Sequence, residues 1–341
     1  MKIKKAVPMK TIFMVLAIAV FVLIIPRATN NYSITVMNTA LIYSITALGL
    51  TMLLGMSGMM SMASVSFMGI GAFTTAQLSK NFHWPSLLAL AASVAVAAVI
   101  SLLLGAVLLK LKGSYFTFAT IAFAQIVNTI LINFKPFTEG IDGMSGVPPL
   151  DLGFMVVEDK KLWFYVLMLI VILCALLVER IRRTSLGRSL AAIRDNETAA
   201  KTLGVNVFRT RLIVFTLAGA FAGLSGSLFA QHNSFVSPSL FGLETQNIYT
   251  MMIMLGGVNS TAGTCLGAIL VTMLPEWMRP LQRYLKLIYG ICVILLMIFM
   301  PMGIAGVVEN GISKLKRKFK GKGGKGNDDS SDVAAVSHPE A

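Results

Sequence analysis

The sequence is short of charged residues, which make up only 13% of its 341 positions. Soluble globular proteins carry about 25% charged residues and roughly 45–50% apolar residues. Here 56% of the residues are hydrophobic and the mean hydropathy is +0.77. This composition excludes an ordinary soluble domain, and it equally excludes a disordered or fibrous chain.

Cysteine is also scarce, and its three positions lie apart. Cys174, Cys265 and Cys292 each lie in an apolar stretch, without paired spacing and without neighbouring ligands at metal-binding intervals. A disulfide framework and a zinc site are therefore not expected.

Ionisable residues are missing from the middle of every long apolar stretch. Carriers driven by protons or ions usually keep such residues there to bind the coupling ion. Their absence favours an external energy source and a solute without net charge. The chain also lacks the G-x-x-x-x-G-K-[ST] motif of ATPases, and it shows no nucleophile–base pair or metal cluster. We therefore expect neither an enzyme nor a cofactor bound by this chain.

What the chain does contain is a series of apolar stretches, each long enough to be a candidate for a membrane-spanning helix of about 20 residues. We predict an all-α polytopic membrane protein with about ten transmembrane helices, within a range of eight to ten. The predicted spans are 10–26, 34–54, 61–79, 86–109, 115–133, 161–179, 211–231, 246–258, 262–275 and 285–305. The first is interpreted as an uncleaved anchor. The eighth and ninth are short and Gly-rich, so broken, re-entrant and tilted arrangements all stay open.

Positive charge sets the expected orientation. With both termini in the cytoplasm, most of the 29 lysines and arginines fall on the cytoplasmic side, as the positive-inside rule requires. The net charge of +14 thus needs no nucleic-acid partner. We predict a transmembrane domain over 1–311 and a disordered cytoplasmic tail, rich in Lys, Gly and Ser, over 312–341. The chain is expected in a membrane, in contact with lipid.

Between the sixth and seventh spans, a cytoplasmic segment predicts an amphipathic helix over about 185–203. Leu186, Leu190, Ile193, Glu197 and Ala200 recur at helical intervals, and Gly204 stands where a helix would stop. The pattern alone allows two interpretations. The helix either rests on anionic lipid headgroups or docks into a groove on a soluble partner.

This segment also carries a family resemblance. Glu197-Thr198-Ala199-Ala200 followed by Gly204 matches the E-x-A-A-x-x-x-G loop of ATP-binding-cassette importer permeases. The stretch 186–197, the helix 216–226, the early run 55–73 and the outer loop 139–148 resemble the branched-chain amino acid permease family. Five such motifs occur in the family's order, and the resemblance covers about residues 35 to 305.

The resemblance implies a mechanism and a set of partners. Such a permease pairs with a second, related permease and with two cytoplasmic ATPase subunits, which use ATP and Mg, and an extracytoplasmic binding protein delivers the solute. The cytoplasmic helix would couple the ATPases to the spans, with Leu186, Leu190 and Ile193 filling the partner's groove. The residues implied in coupling are Leu186, Gly187, Arg188, Leu190, Ile193, Arg194, Glu197, Ala199, Ala200 and Gly204.

The sequence departs from the family pattern in two places. Ser61 is followed by Met62 and Ala63, where many relatives have Gly and then His or Gln. The Gly-rich run that often reads G-G-x-G-[ST] has Asn259 in place of its third Gly. Branched-chain amino acids are the expected solute, with urea or a short amide as the alternative. A secondary carrier is the less favoured interpretation.

Two further groups of residues are candidates for function. Tyr115, Thr120, Gln125 and Asn128 on the fifth span are expected to line the path, although hydrogen bonding between helices would equally explain them. Glu139, Asp142 and Gly143 on the outer loop would serve as turn residues or as contacts for the binding protein.

Small residues recur every fourth position in the seventh span. Gly219 and Gly223 form one such pair, and Ala222 and Gly226 form another. Small residues at this spacing let two helices approach closely in lipid. We therefore predict tight helix packing along this span.

Overall fold

The computed structural model describes residues 31–111, 113–151, 156–157 and 159–277, together with positions 287 and 290. The predicted first span and the tail 312–341 lie outside the described residues. So does the predicted tenth span, apart from those two positions.

The described chain is mostly helical, as predicted. Its long helices are separated by turns and short helical segments. The helices are α1 (Asn31–Thr51), α2 (Ser64–Lys80), α3 (Ser86–Leu108), α4 (Ser114–Asn133), α5 (Lys135–Thr138), α6 (Lys160–Arg183), α7 (Ser185–Asp195), α8 (Glu197–Thr202), α9 (Val207–Asn233), α10 (Leu243–Gly256) and α11 (Thr261–Trp277). A π-helical turn, Met52–Met56, extends α1.

Five helices within the described residues are long and apolar enough to cross a membrane. They are Tyr32–Met56, Ser86–Leu108, Ser114–Asn133, Lys160–Arg183 and Val207–Asn233. The other predicted spans in the described part form shorter helices. α10 has 14 residues and reaches about 21 Å, less than the roughly 30 Å of a hydrocarbon core.

Two helices form the centre of the bundle. α1 and α9 are largely buried, and α9 packs against α1, α2 and α3, while α1 packs against α6 and α11. α3 lies at the periphery, with leucine and valine side chains exposed along its outer face. That arrangement suits a helix whose outer face meets lipid, because lipid tails accept apolar side chains.

The close packing predicted for α9 is confirmed. A Cβ atom on Gly219 would overlap Ser101 of α3, and one on Gly226 would overlap the Met68 carbonyl oxygen of α2. The buried face of α3 is correspondingly small, with serine, alanine or glycine at every buried position. α9 therefore contacts its neighbours almost backbone to backbone.

The predicted span 61–79 begins later than expected, since α2 starts at Ser64. Gly58 has a positive φ of 68°, which takes the chain out of the helix after the π-turn. The Met62 amide then donates a hydrogen bond to the Thr120 side chain at 3.1 Å instead of continuing a helix. The residues between the π-turn and α2 are therefore not helical.

The predicted span 246–258 forms one short, continuous helix, α10, which ends at Gly256 and is preceded by a segment that is not α-helical. α9 ends at Asn233, and the chain passes through the strand Phe235–Val236 and the 3-10 turn Pro238–Phe241 before α10 begins. Phe241 already packs against Gly69 and Phe73 in α2, and Gln246 accepts a hydrogen bond from the Val65 amide. α10 thus runs beside the first turns of α2. The segment before it is partly buried, with Val236 and Phe241 inside and Phe235 and Leu240 exposed.

The outer loop contains a strand that the all-α prediction did not include. Met144–Ser145 pairs antiparallel with Phe235–Val236. Gly143, at a φ of 76°, precedes it, and a Cβ there would overlap the Val236 carbonyl oxygen. These strands are two residues long and depend on a partner distant in sequence, so periodicity along the chain did not reveal them.

At each end of the bundle, contacts join connecting segments that alternating spans would place on the same side of the membrane. At one end Arg194 reaches Gly55 and Asn259, all three predicted to be cytoplasmic. At the other end Lys80 pairs with Glu139, and Ser86 donates to the Pro149 carbonyl. We call these the predicted cytoplasmic end and the predicted outer end.

Candidate coupling and translocation sites

The cytoplasmic segment forms two helices instead of the single helix predicted over 185–203. α7 ends at Asp195, and Asn196 adopts an extended conformation. The Asn196 side chain then accepts a hydrogen bond from the Ala199 amide and so caps α8. An N-cap asparagine competes with helix continuation, which is the physical reason for the break.

The apolar side of this segment faces the chain's own bundle. Leu190 has 0% exposure and belongs to the main core, while Ile193 and Ala200 pack with Val207 in a smaller cluster. Gly187 is buried against the Arg182 carbonyl, and Leu186 is partly buried. Leu190 and Ile193 are therefore not available to fill a partner's groove, and the opposite side of the segment is the exposed one.

That opposite side is exposed and carries a prominent leucine. Leu203 is 80% exposed, directly before Gly204, whose positive φ of 81° ends α8 as the sequence predicted. Arg188 and Ala199 are exposed too. We call the exposed side of 188–204 the docking face. On the docking face, the exposed Leu203 side chain is surrounded by polar groups, as an apolar anchor of an interface is.

Glu197 is the first residue of α8, and its carboxylate forms ion pairs with two basic side chains. Lys201 donates to one carboxylate oxygen at 2.6 Å and Arg211 of α9 donates to the other at 2.9 Å. The hydrogen bond from Lys201 lowers the pKa of the Glu197 carboxyl most; partial burial opposes the shift, and the charge of Arg211 supports it. The segment is thereby tied to the start of the buried helix α9.

Arg194 makes the longest-range contacts of the segment. Its Nη1 donates to the Gly55 carbonyl at 2.6 Å and to the Asn259 side-chain oxygen at 2.8 Å. Gly55 lies in the π-turn after α1, and Asn259 lies in the turn between α10 and α11. Arg194 therefore joins three elements at the predicted cytoplasmic end.

The four predicted path residues on α4 separate into two pairs. Tyr115 is 75% exposed and Gln125 is also exposed. Thr120 is buried and accepts the Met62 amide, while Asn128 donates to the Pro238 carbonyl at 3.1 Å. Thr120 and Asn128 thus hold the two non-helical segments beside α4, whereas Tyr115 and Gln125 face outward.

The exposed side of α4 carries more polar groups than the sequence analysis selected. One helical stripe contains Tyr115, Phe118, Ala122, Gln125, Thr129 and Asn133. The three- and four-residue intervals were visible in the sequence, but they did not show which side of α4 stays open. We call this stripe the α4 face.

The outer-loop candidates have structural partners. Glu139 pairs with Lys80 at the end of α2, and Asp142 is exposed at the end of a 3-10 turn. Gly143 is buried where the outer loop meets Val236. The loop is therefore an ordered cap over the predicted outer end, with Asp142 at its surface.

A polar cavity that the sequence analysis missed lies at the predicted outer end. It measures about 320 Å³ and is lined in part by Lys160, Trp163 and His232. Within the described part of the chain, the Gln231 side-chain oxygen and both His232 ring nitrogens have no hydrogen-bond partner. Among the described residues, no group of three or more His, Cys, Asp or Glu side chains could hold a metal ion.

The five long apolar helices of the described part are those of a multi-pass membrane protein. The chain belongs to the branched-chain amino acid transport system / permease component family, whose model matches residues 32–301.

Individual relatives agree with this membership. The high-affinity branched-chain amino acid transport system permease protein LivM of Salmonella typhimurium is 30% identical, over 90% of this chain and 78% of its own length. The probable branched-chain amino acid transport permease protein LivH of Methanocaldococcus jannaschii is 26% identical, over 83% of this chain and 94% of its own. The probable ABC transporter permease protein YphD of Escherichia coli is 36% identical, over 31% of this chain and 34% of its own. No solved structure matches the chain.

Proposed function

We propose that the chain is a transmembrane permease subunit of an ATP-driven, binding-protein-dependent importer of branched-chain amino acids. It works in a bacterial inner membrane with a second permease, two cytoplasmic ATPase subunits and an extracytoplasmic binding protein. The observation that carries the proposal is the exposed docking face on a segment tied to the buried helices, in a chain of this permease family.

The docking face receives the ATPase subunits in this proposal. Leu203 inserts into an apolar groove on the ATPase, and Arg188 contacts polar groups around it. The buried side chains, Leu190 and Ile193, transfer the movement into the bundle because they pack directly in it. ATP and Mg are used by the partner subunits alone.

The α4 face supplies this chain's half of the translocation path, between the two permeases. Gln125 and Thr129 offer hydrogen-bonding groups to a polar solute, and no charged side chain lies along the stripe. Such a lining suits a zwitterion without net charge, while the apolar positions on the same face accept an aliphatic side chain.

The first experiment is purification of the tagged chain in mild detergent, followed by identification of its partners and an ATPase assay. Recovery of a second permease and ATP-hydrolysing subunits supports the proposal. Uptake into liposomes, with Leu, Ile and Val competing and urea or acetamide not competing, identifies the solute. A chain that purifies alone and transports solute without ATP contradicts the importer and favours a secondary carrier.

The docking face predicts a specific loss of assembly. Leu203→Asp places a charge in an apolar groove, so we expect at least about a tenfold loss of co-purified ATPase and of uptake. Leu111→Asp is the matched control, because Leu111 is 42% exposed and lies outside the docking face. Equal losses in both variants, or none in Leu203→Asp, would contradict the assignment. Leu190→Asp is unsuitable because it would bury a charge in the core.

The α4 face predicts a pattern of water accessibility. In a chain without its native cysteines, Cys at Gln125 should react with a water-soluble thiol reagent in the assembled importer, and added solute should slow the reaction. Leu103→Cys is the control, since Leu103 is 63% exposed on the outer face of α3, away from the α4 face. Equal labelling at the two positions would place the path elsewhere.

A further inference from the structure

Arg194 occupies a junction where three elements of the bundle meet. One guanidinium nitrogen, Nη1, donates hydrogen bonds to both the Gly55 carbonyl oxygen of the π-turn and the Asn259 side-chain oxygen. The Arg194 stem lies over Gly58, where a Cβ would be only 3.0 Å from the Arg194 Cγ. The guanidinium therefore sits at the C-terminal end of α1, where unpaired carbonyls and the helix dipole both favour a cation.

The elements beneath Arg194 are also in direct contact with one another. A Cβ on Gly55 would overlap the Val258 carbonyl oxygen, so the π-turn and the α10–α11 turn touch backbone to backbone. The Thr51 and Thr264 hydroxyls share a buried hydrogen bond at 2.8 Å, one turn further into the bundle. The end of α1 and the α10–α11 pair thus form one packed unit, and Arg194 binds it from the α7 side.

This unit is connected to the buried side of α4 through two further hydrogen bonds. At the start of α10, Gln246 accepts the Val65 amide at the start of α2. Just before α2, the Met62 amide bonds Thr120 of α4. The unit is therefore connected through described hydrogen bonds to the helix that carries the proposed path.

We propose that Arg194 and Asn259 form a coupling clamp, through which movement of α7 is transferred to the α10–α11 pair and to the end of α1. The proposal rests on the importer function above. Arg194 is the positioning residue, because its two hydrogen bonds to Gly55 and Asn259 combine a charged donor with neutral acceptors, and Asn259 is the acceptor that joins α10–α11 to it. The Gly55 bond alone would connect α7 to α1 only.

The test uses the complete importer, purified with its partners and reconstituted in liposomes. Asn259→Ala removes the acceptor at a site away from the docking face. We expect basal ATP hydrolysis to stay near the wild-type rate, while solute transported per ATP hydrolysed falls about tenfold, as expected for loss of a hydrogen bond to a charged group. Stimulation of hydrolysis by the loaded binding protein should fall with it.

Two variants serve as controls. Asn259→Asp keeps an oxygen acceptor for Arg194 and should retain the wild-type ratio. Asn81→Ala removes an amide that bonds Gln77 at the other end of α2, and it should also leave the ratio unchanged. In an Arg194→Met background, Asn259→Ala should add no further loss, because both variants break the same contact.

A wild-type ratio in Asn259→Ala, a parallel loss of hydrolysis and transport, or additive losses in the double variant would each overturn the clamp. If Asn259→Ala does not assemble, Asn259→Ser, whose hydroxyl is too short to reach the guanidinium, replaces it in the same comparison. A wild-type complex without ATP-dependent uptake would instead show that the importer function itself is wrong.

Discussion

On the cytoplasmic segment, side chains on one side pack into the bundle and side chains on the other side are exposed. Leu190 and Ile193 stabilise the segment against the bundle, while Leu203 projects from it. Glu197 adds an electrostatic attachment to α9 through Arg211. The segment can therefore be rigid on one side and available on the other, as a coupling element requires.

At the residue scale, the Glu197 network predicts a pH-dependent attachment of α8. Because the folded pKa of Glu197 is lowered, its ion pairs stabilise α8 above the unfolded pKa of about 4.3. That contribution is lost as pH falls through the lower, folded pKa. Glu197→Gln should therefore weaken α8 by about 0.5–1 kcal/mol at pH 7, and the difference from wild type should vanish in acid.

The measurement is the opening free energy of α8 from amide hydrogen exchange, corrected for intrinsic exchange at each pH. Amides of α6 are the internal control, because the substitution lies outside that helix. A difference between variant and wild type that is the same at neutral and acid pH would assign the effect to packing instead of charge.

Among the helices, α9 carries the tightest packing because small residues face two different neighbours. Gly219 contacts α3 and Gly226 contacts α2, so neither position can accommodate a larger side chain without displacing a neighbouring helix. In lipid there is no hydrophobic force between helices, so close van der Waals contact supplies much of the association. α9 therefore depends on these glycines.

At the element scale, Gly226→Ala should destabilise the bundle by about 1–3 kcal/mol, because the added methyl must displace the backbone of α2. Gly242→Ala is the matched control, since its Cβ would lie 3.9 Å from the nearest atom, at an ordinary negative φ. Unfolding of the purified chain in mild detergent compares the two. Similar stability of both variants would show that α9 and α2 move apart at little cost.

For the whole molecule, the predicted cytoplasmic end and the predicted outer end are chemically different. The predicted cytoplasmic end carries the basic segment around Arg188 and Arg194, and the predicted outer end carries the ordered loop around Glu139 and Asp142. The proposed importer function needs this asymmetry, because the proposed ATPase and binding-protein partners would approach from opposite sides of the membrane. The contacts show which loops lie at the same end of the bundle, and the distribution of positive charge predicts which end faces the cytoplasm.

At the scale of the molecule, labelling in intact cells should report the orientation. In a chain without native cysteines, Ser145→Cys should react with a membrane-impermeant maleimide added outside, since position 145 is exposed on the outer loop. Thr198→Cys, exposed on α8, should react only after the membrane is opened. The reverse pattern would invert the predicted topology.

The amino-acid sequence by itself determined where the five long apolar helices of the described part lie, that α9 packs through its glycines and that α8 ends before Gly204. Periodicity and turn chemistry are local, so they can be read along the chain. Only the tertiary structure decided that Leu190 and Ile193 face inward, that Thr120 and Asn128 bond non-helical backbone, and that Arg194 meets Asn259. Periodicity shows which residues share a side of a helix, but what that side contacts depends on how distant segments pack.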